Sequence, residues 1–276
     1  MPENIITLKN VSAGYGKYKA GKPAEGPLVL KDISFEVSQG RSVCLVGPNG
    51  SGKTTLLRVI AGMLPSYGDV LVDGKNIREI RRKEIAEYMS FLSQITRVYY
   101  SYSVYETVMQ GRYVHGGSFF SGAASEDRRV VEETLENLGL QDLSGKQITT
   151  LSGGQIQRVM LARCIAQESP VMILDEPLNH LDMKIQSELI DYLLRWREKP
   201  VKTDRGEYQP TMIGVFHDLN IAAFIADDVA MISDGKLLAY GEKKDILTKD
   251  MLEKTYHFDA VGYLRKYRSC FPDDPG

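Results

Sequence analysis

The chain has 276 residues, enough for one large domain or two small ones and for a substantial buried core. Hydrophobic residues make up 43% and charged residues 25%, ordinary for a globular protein, and the net charge of −2 gives no electrostatic reason to expect nucleic acid as a partner. Cys44, Cys164 and Cys270 are far apart and lack metal-ligand spacing; the first two sit in apolar runs and read as buried thiols of a reducing compartment. Met1-Pro2-Glu3-Asn4 has no basic stretch leading into an apolar one, so no signal peptide is expected. No apolar run approaches the ~20 residues needed to span a bilayer. A soluble chain is expected, with any membrane role supplied by partners.

Ile5 to Val11 reads as a strand ending at Ser12-Ala13-Gly14-Tyr15-Gly16, and the Gly-, Lys- and Pro-rich segment Lys17 to Pro27 reads as an exposed loop. Val29-Leu30 and Ile33 to Val37 are further strands. The apolar run Ser42–Val46 then delivers Gly47-Pro48-Asn49-Gly50-Ser51-Gly52-Lys53-Thr54-Thr55, followed by Leu56, Leu57, Val59 and Ile60 at helical spacing. A strand, a glycine loop and a helix in that order are the context a P-loop requires. Glycines let the backbone curl around an anion with its N–H groups pointing inward, and the helix adds its positive dipole end. Lys53 would neutralise the β- and γ-phosphates of a nucleoside triphosphate, and the Thr54 hydroxyl would hold Mg²⁺.

Val70-Leu71-Val72, Asp73-Gly74 and Lys75-Asn76-Ile77 look like a hairpin, and a charged helix from about Arg81 to Glu87 precedes the strand Met89–Leu92, which ends at Ser93-Gln94. Between about Ile95 and Gln167 strand signals vanish. Val131, Leu135 and Leu138 line one face of a helix opened by Ser125, Glu126 and Asp127. The segment 95–167 therefore reads as a helical lobe inserted into an α/β core made of 5–94 and 168–256. Within it, Ser152-Gly153-Gly154 at a helix start offers a second anion site with no lysine of its own. Alternation of strand and helix resumes with Val171–Leu174, the helix face Ile185, Leu189, Leu193 and Trp196, and the strands Met212–Phe216, Val229–Ile232 and Leu237–Ala239.

Four of these apolar runs end at groups suited to phosphate chemistry: Gly47, Gln94, Asp175-Glu176 and His217. Near-continuous apolar runs suit a sheet covered on both faces, and ligands of such sheets bind at the carboxyl ends of the strands. Asp175 is placed to hold Mg²⁺ through its water shell, and Glu176 to polarise an attacking water in line with the γ-phosphorus.

Leu151-Ser152-Gly153-Gly154-Gln155, following the P-loop and preceding Asp175-Glu176, resembles the signature of ABC-transporter ATPase subunits. The resemblance covers about Ile5 to Tyr256, with the family's motifs in order, and implies a RecA-like P-loop NTPase core with an antiparallel β subdomain and an inserted helical signature subdomain. By that resemblance Tyr15 matches the aromatic that stacks on adenine. Gln94 matches the glutamine that contacts Mg²⁺ and the attacking water, and His217 the histidine that contacts the γ-phosphate. Ser152, Gly153, Gly154, Gln155 and Asp182 match residues that face the P-loop of a second copy, so two protomers would sandwich two ATP molecules. Asn179-His180-Leu181-Asp182 matches the loop that crosses that interface; His180, His115 and His257 read as surface or structural residues.

The segments Thr107–Tyr113 and His217–Ala223, with Asp234-Gly235-Lys236, Gly241 and Asp245–Thr248, are similar to ATPase subunits of importers for iron–siderophores, haem and cobalamin. The resemblance thus implies integral-membrane permease partners at the cytoplasmic face of the membrane, an extracytoplasmic binding protein indirectly, and no nucleic acid. Arg97 to Tyr105, dense in tyrosine, would line the groove that receives a permease helix or else pack the lobe junction. The competing classes are a non-transport ABC protein of translation, DNA maintenance or cluster assembly, the ATPase of another importer (cobalamin, metal ion), and an exporter ATPase, which the local importer resemblance disfavours. Two segments depart from the family pattern: Glu198 to Pro210, expected as a solvated surface loop, and the tail 257–276, which matches no motif.

Overall fold

The computed structural model describes residues 4–19, 22–93, 101–115, 124–179 and 181–268. The first part holds strands β1 (Asn4–Ala13), β2 (Lys17–Lys19), β3 (Lys22–Glu25), β4 (Leu30–Ser38) and β5 (Ser42–Val46), then helix α1 (Lys53–Ile60). Strands β6 (Tyr67–Val72) and β7 (Lys75–Asn76), helix α2 (Arg82–Tyr88) and β8 (Met89–Leu92) follow. Three helices come next, α3 (Val104–Met109), α4 (Ala124–Asn137) and α5 (Gly153–Ala166), with short 3-10 turns between them. The chain continues through β9 (Val171–Asp175), α6 (Met183–Trp196), β10 (Val201–Thr203), β11 (Gly206–Tyr208), β12 (Thr211–Val215) and α7 (Leu219–Ile225). It ends with β13 (Asp228–Ser233), β14 (Lys236–Glu242), α8 (Lys243–Ile246), α9 (Lys249–Tyr256) and α10 (Ala260–Arg268).

The central sheet has the order β14-β13-β5-β12-β9-β8, parallel throughout except for β14. Its inner strands are buried at every position because alternate side chains enter two different cores. Val43, Leu45, Ile173, Ile213, Val215 and Ile232 join Leu56, Leu57 and Ile60 of α1 and the inner face of the four-stranded antiparallel sheet β4-β1-β6-β7. Cys44, Val46, Met172, Leu174, Met212 and Met231 face the other way, toward a core that includes Val104, Val131, Val159 and Leu193. Parallel strands place their carboxyl ends on one edge, so the tips of β5, β12, β9 and β8 lie side by side.

The helices are tied to one another and to the turn leading into β9 by more than apolar packing. Arg112 is buried, and its guanidinium donates to Asp127 Oδ1 (2.9 Å), Glu168 Oε2 (2.6 Å) and the Ala166 carbonyl (2.7 Å). A buried guanidinium deprived of those acceptors would strongly destabilise this junction.

Two local expectations are corrected. Within the segment read as a loop, Lys17–Lys19 and Lys22–Glu25 pair as short antiparallel strands. The segment between α6 and β12 is a hairpin, pairing Val201 with Tyr208 and Thr203 with Gly206, with Tyr208 buried. Strands this short contain too few alternating positions to read from sequence. The tail carries a further helix, α10, which packs on α9 through edge-to-face contacts of Phe258 with Tyr256 and Tyr263, at 6.3 and 5.9 Å.

Candidate nucleotide site

Between β5 and α1 the backbone turns back on itself under tight constraint. Gly47 passes so close to the neighbouring strand that a Cβ there would lie 1.9 Å from the Ile232 carbonyl oxygen. Gly52, the residue before α1, has φ of +105°, which favours glycine. Ser51 N–H donates to the Pro48 carbonyl (3.2 Å), and Gly235 N–H, from the β13–β14 turn, donates to the Ser51 carbonyl (3.1 Å). Lys53 folds over the loop, its ammonium donating to the carbonyls of Gly47 (2.7 Å) and Pro48 (2.9 Å). Burial lowers its pKa, and the carboxylates of Glu176 and Asp175 partly oppose that.

Thr54, one residue on, donates its hydroxyl to Asp175 Oδ1 at 3.0 Å, joining the start of α1 to the tip of β9. Asp175 is only 1% exposed, and its Oδ2 is buried with no partner. Burial pushes this carboxyl's pKa upward, and the Thr54 hydrogen bond works against the shift. A buried free carboxylate oxygen beside a hydroxyl is a donor set suited to Mg²⁺, which completes its octahedron with phosphate oxygens and water. Among the described residues no group of three or more His, Cys, Asp or Glu could hold a metal alone. The fit is therefore to an ion shared with phosphates.

Glu176 is held in the left-handed region, φ +56°, a conformation costly for a side chain with a Cβ. Its N–H donates to the Val215 carbonyl of β12 (3.1 Å), which fixes the twist. One carboxylate oxygen accepts from His217 Nε2 at 2.8 Å and the other from Asn179 Nδ2 at 2.5 Å. The tips of β9 and β12 thus deliver an acid–imidazole pair beside Lys53 and Thr54. A cavity of about 260 Å³, lined by Gly47, Asn49, Lys53, Phe216, His217 and Tyr256, opens between them. Tyr15 hangs over the same helix, 59% exposed, with its hydroxyl 3.2 Å from Thr55 Oγ1 and accepting from Arg58.

Ser152, Gly153, Gly154 and Gln155 stand apart from this cluster. Ser152 caps α5 by accepting from Gln155 N–H (3.3 Å), while Gln155 Oε1 accepts from Ser152 N–H (2.9 Å), a reciprocal capping box. Ser152 and Gly153 are exposed. Asp182 is likewise exposed and caps α6 through Ile185 N–H (3.0 Å). Gln94 and His180 lie outside the described residues, as do 97–100 of the tyrosine-rich segment. Tyr105 of that segment packs against the core, whereas Tyr102 is exposed.

Two contacts of this region carry no spacing signal in the sequence. Asn179 orients Glu176, and the buried Gln157 amide donates to the carbonyls of Glu176 (3.4 Å) and Pro177 (3.2 Å), linking α5 to the tip of β9.

A phosphate loop, an acid pair at a strand tip and an imidazole on the adjoining strand define a nucleotide-hydrolysing P-loop ATPase. Residues 30–179 match the model of the ABC transporter family. The chain is 33% identical over 259 residues to the ferric enterobactin transport ATP-binding protein FepC of Escherichia coli (strain K12), covering 93% of this chain and 89% of that one. It is 33% identical over 264 residues to the manganese transport system ATP-binding protein MntB of Halalkalibacterium halodurans, covering 95% and 96%. Among solved structures it resembles an inward-facing metal-chelate-type ABC transporter, with TM-score 0.71 and 26% identity over 93% of this chain and 90% of that one. The chain belongs to the ABC transporter family, as an ATPase subunit. No helix among the described residues is long and apolar enough to cross a membrane.

Proposed function

We propose that this chain energises import of an iron chelate by hydrolysing MgATP at the tips of β5, β9 and β12. The observation that carries the reading is the joining of Lys53, Thr54, Asp175, Glu176 and His217 at one sheet edge. Lys53 and the loop N–H groups would hold the phosphates. Asp175 and Thr54 would hold Mg²⁺, which supplies charge neutralisation at the β- and γ-oxygens. Glu176 would take the proton of the attacking water, oriented by His217 and Asn179, with Gln94 assigned to the same water and ion by resemblance. Tyr15 would face the adenine.

In this reading Ser152 to Gln155 and Asp182 serve the P-loop of a second copy, and the domain spans 5–256 with 95–167 as its helical lobe. A groove of about 630 Å³ between α2 and α5 of mixed lining, with Met63, Ile85, Phe91 and Tyr113 beside Arg82 and Arg163, is the proposed seat of a permease helix. Met63 and Tyr113 are 61% and 55% exposed there, large for apolar side chains without a partner. The subunit would sit at the cytoplasmic face of the membrane and meet a binding protein only through the permease.

FepC supports the iron-chelate cargo; the equal identity to MntB favours a second reading, import of manganese. The test is purification of the complex from detergent-solubilised membranes, then uptake of radiolabelled ferric siderophore or Mn²⁺ by vesicles holding it. ATP-dependent ferric-siderophore uptake is expected. Uptake of Mn²⁺ alone would select the second reading, and recovery of ribosomes or DNA instead of a permease would overturn both.

A further inference from the structure

Helix α2 is short, and besides an Arg81–Glu84 pair in its first turn it is held from outside. On the groove side Gln167 Nε2 donates to the Ala86 (2.6 Å) and Met89 (3.0 Å) carbonyls, and on the other side lies the β10–β11 hairpin. The helix has seven residues, too few to be stable alone, no side-chain cap at Arg81, and Tyr88 as its one buried residue. Ile85 and Ala86 line the groove between α2 and α5. The opposite face, Glu84, Glu87 and Tyr88, meets the β10–β11 hairpin, which lies in the segment where the sequence departs from the family pattern.

Arg205, at the tip of that hairpin, makes the contacts. Its guanidinium lies 3.5 Å from Glu84 Oε2 and 3.7 Å from Glu87 Oε2, donates to the Tyr88 hydroxyl at 3.1 Å and sits 4.9 Å above the Tyr88 ring. The Tyr88 hydroxyl in turn donates to Asp73 Oδ2 at 2.9 Å, and Tyr208 of β11 donates to the same oxygen at 2.9 Å. The two tyrosine rings meet edge to face at 6.1 Å. Single half-exposed ion pairs fix little, but one planar cation shared by two carboxylates, a hydroxyl and a ring defines a unique position. The hairpin and the β6–β7 turn thereby grip Tyr88 from two sides.

We infer that the β10–β11 hairpin is a strut that sets α2 as one wall of the groove, with Arg205 as its positioning residue. The inference rests on the reading of that groove as the permease seat. Glu84, Glu87 and Tyr88 recur on one face of α2 while Ile85 lies on another, so a hold on the first fixes the presentation of the second.

Hydrogen exchange of residues 82–88 in the full chain tests the strut without any permease. Arg205→Ala should speed that exchange by about tenfold, the scale expected when hydrogen bonds to a charged group are lost. Tyr208→Phe, which keeps the ring and removes one donor, should speed it less, and Arg205→Lys should fall between. Basal ATP hydrolysis of the isolated chain should not change, while the permease recovered per chain after detergent extraction should drop several-fold in Arg205→Ala. Unchanged exchange overturns the strut, as does equal loss of basal hydrolysis, which would signal general misfolding. Ile85→Glu separates the two readings, because it alters the groove and leaves Arg205 in place. If it retains the permease, the groove reading fails and the exchange result still stands; if it loses the permease while Arg205→Ala keeps it, the positioning role is overturned.

Discussion

The loop after β5 and the start of α5 are both glycine-rich helix entries, yet they are built to opposite ends. The first is enclosed: Thr54 and the Ser51 carbonyl have partners from other strands or turns of the same chain, and Lys53 folds back over the loop itself. The second is satisfied only by its own capping box and faces outward with Ser152 and Gly153 exposed. By the proposed reading, a chain alone would offer one complete cradle and one half of another. Two anion sites of unlike chemistry on one chain are most economically used when copies pair head to tail.

The sharpest way to break this contrast is at Glu176. Glu176→Gln keeps the neighbours and removes the base, so steady-state hydrolysis should fall by about 10²- to 10⁴-fold with ATP still bound; hydrolysis at the parental rate would end its assignment. Lys53→Ala, measured by titration with a fluorescent ATP analogue, should weaken binding by roughly 10- to 100-fold, the scale of lost charge-assisted hydrogen bonds. Mixing Lys53→Ala chains with Ser152→Arg chains sharpens the comparison directly. A paired arrangement recovers hydrolysis in the mixture, because one composite site then keeps both halves; sites complete within single chains recover none.

Ser152→Ala should cost about 0.5–2 kcal/mol in denaturant unfolding, the usual loss of a helix cap, whereas Gly153→Ala, in helical backbone with open space around it, should stabilise slightly. The smallest effect concerns the two buried thiols. Burial pushes Cys44 up to about 12 and Cys164 up to about 11, so both stay protonated at neutral and mildly alkaline pH. Neither should react with a disulfide reagent at pH 8 until the chain is unfolded.

Much of the sheet was legible because burial on both faces leaves a plain signature. Ser42–Val46, Val171–Leu174 and Met212–Phe216 are apolar runs that became β5, β9 and β12 within a residue at their ends. The site residues at their tips were legible for the same reason, since a strand end is easy to locate. The contact of Asn179, which the sequence marked only as part of the interface loop, and that of Gln157 were not, because their partners are a side chain and carbonyls that only the fold brings near. The β10–β11 hairpin was hidden differently. Its polar sequence reads as solvent-facing, and what orders it is a set of tertiary contacts between Arg205, Tyr88, Tyr208 and Asp73. Helix α10 lay in a tail with no motif to anticipate it.

The Gln157 amide has a mechanical corollary. It is a rivet between the helix that presents Ser152 outward and the peptide carrying Glu176, so neither can travel far without tugging the other. In a pair of such chains, whatever pulls on the outward-facing serine of one molecule would be felt at that same molecule's own Glu176. Two pockets that never touch would then keep time with each other.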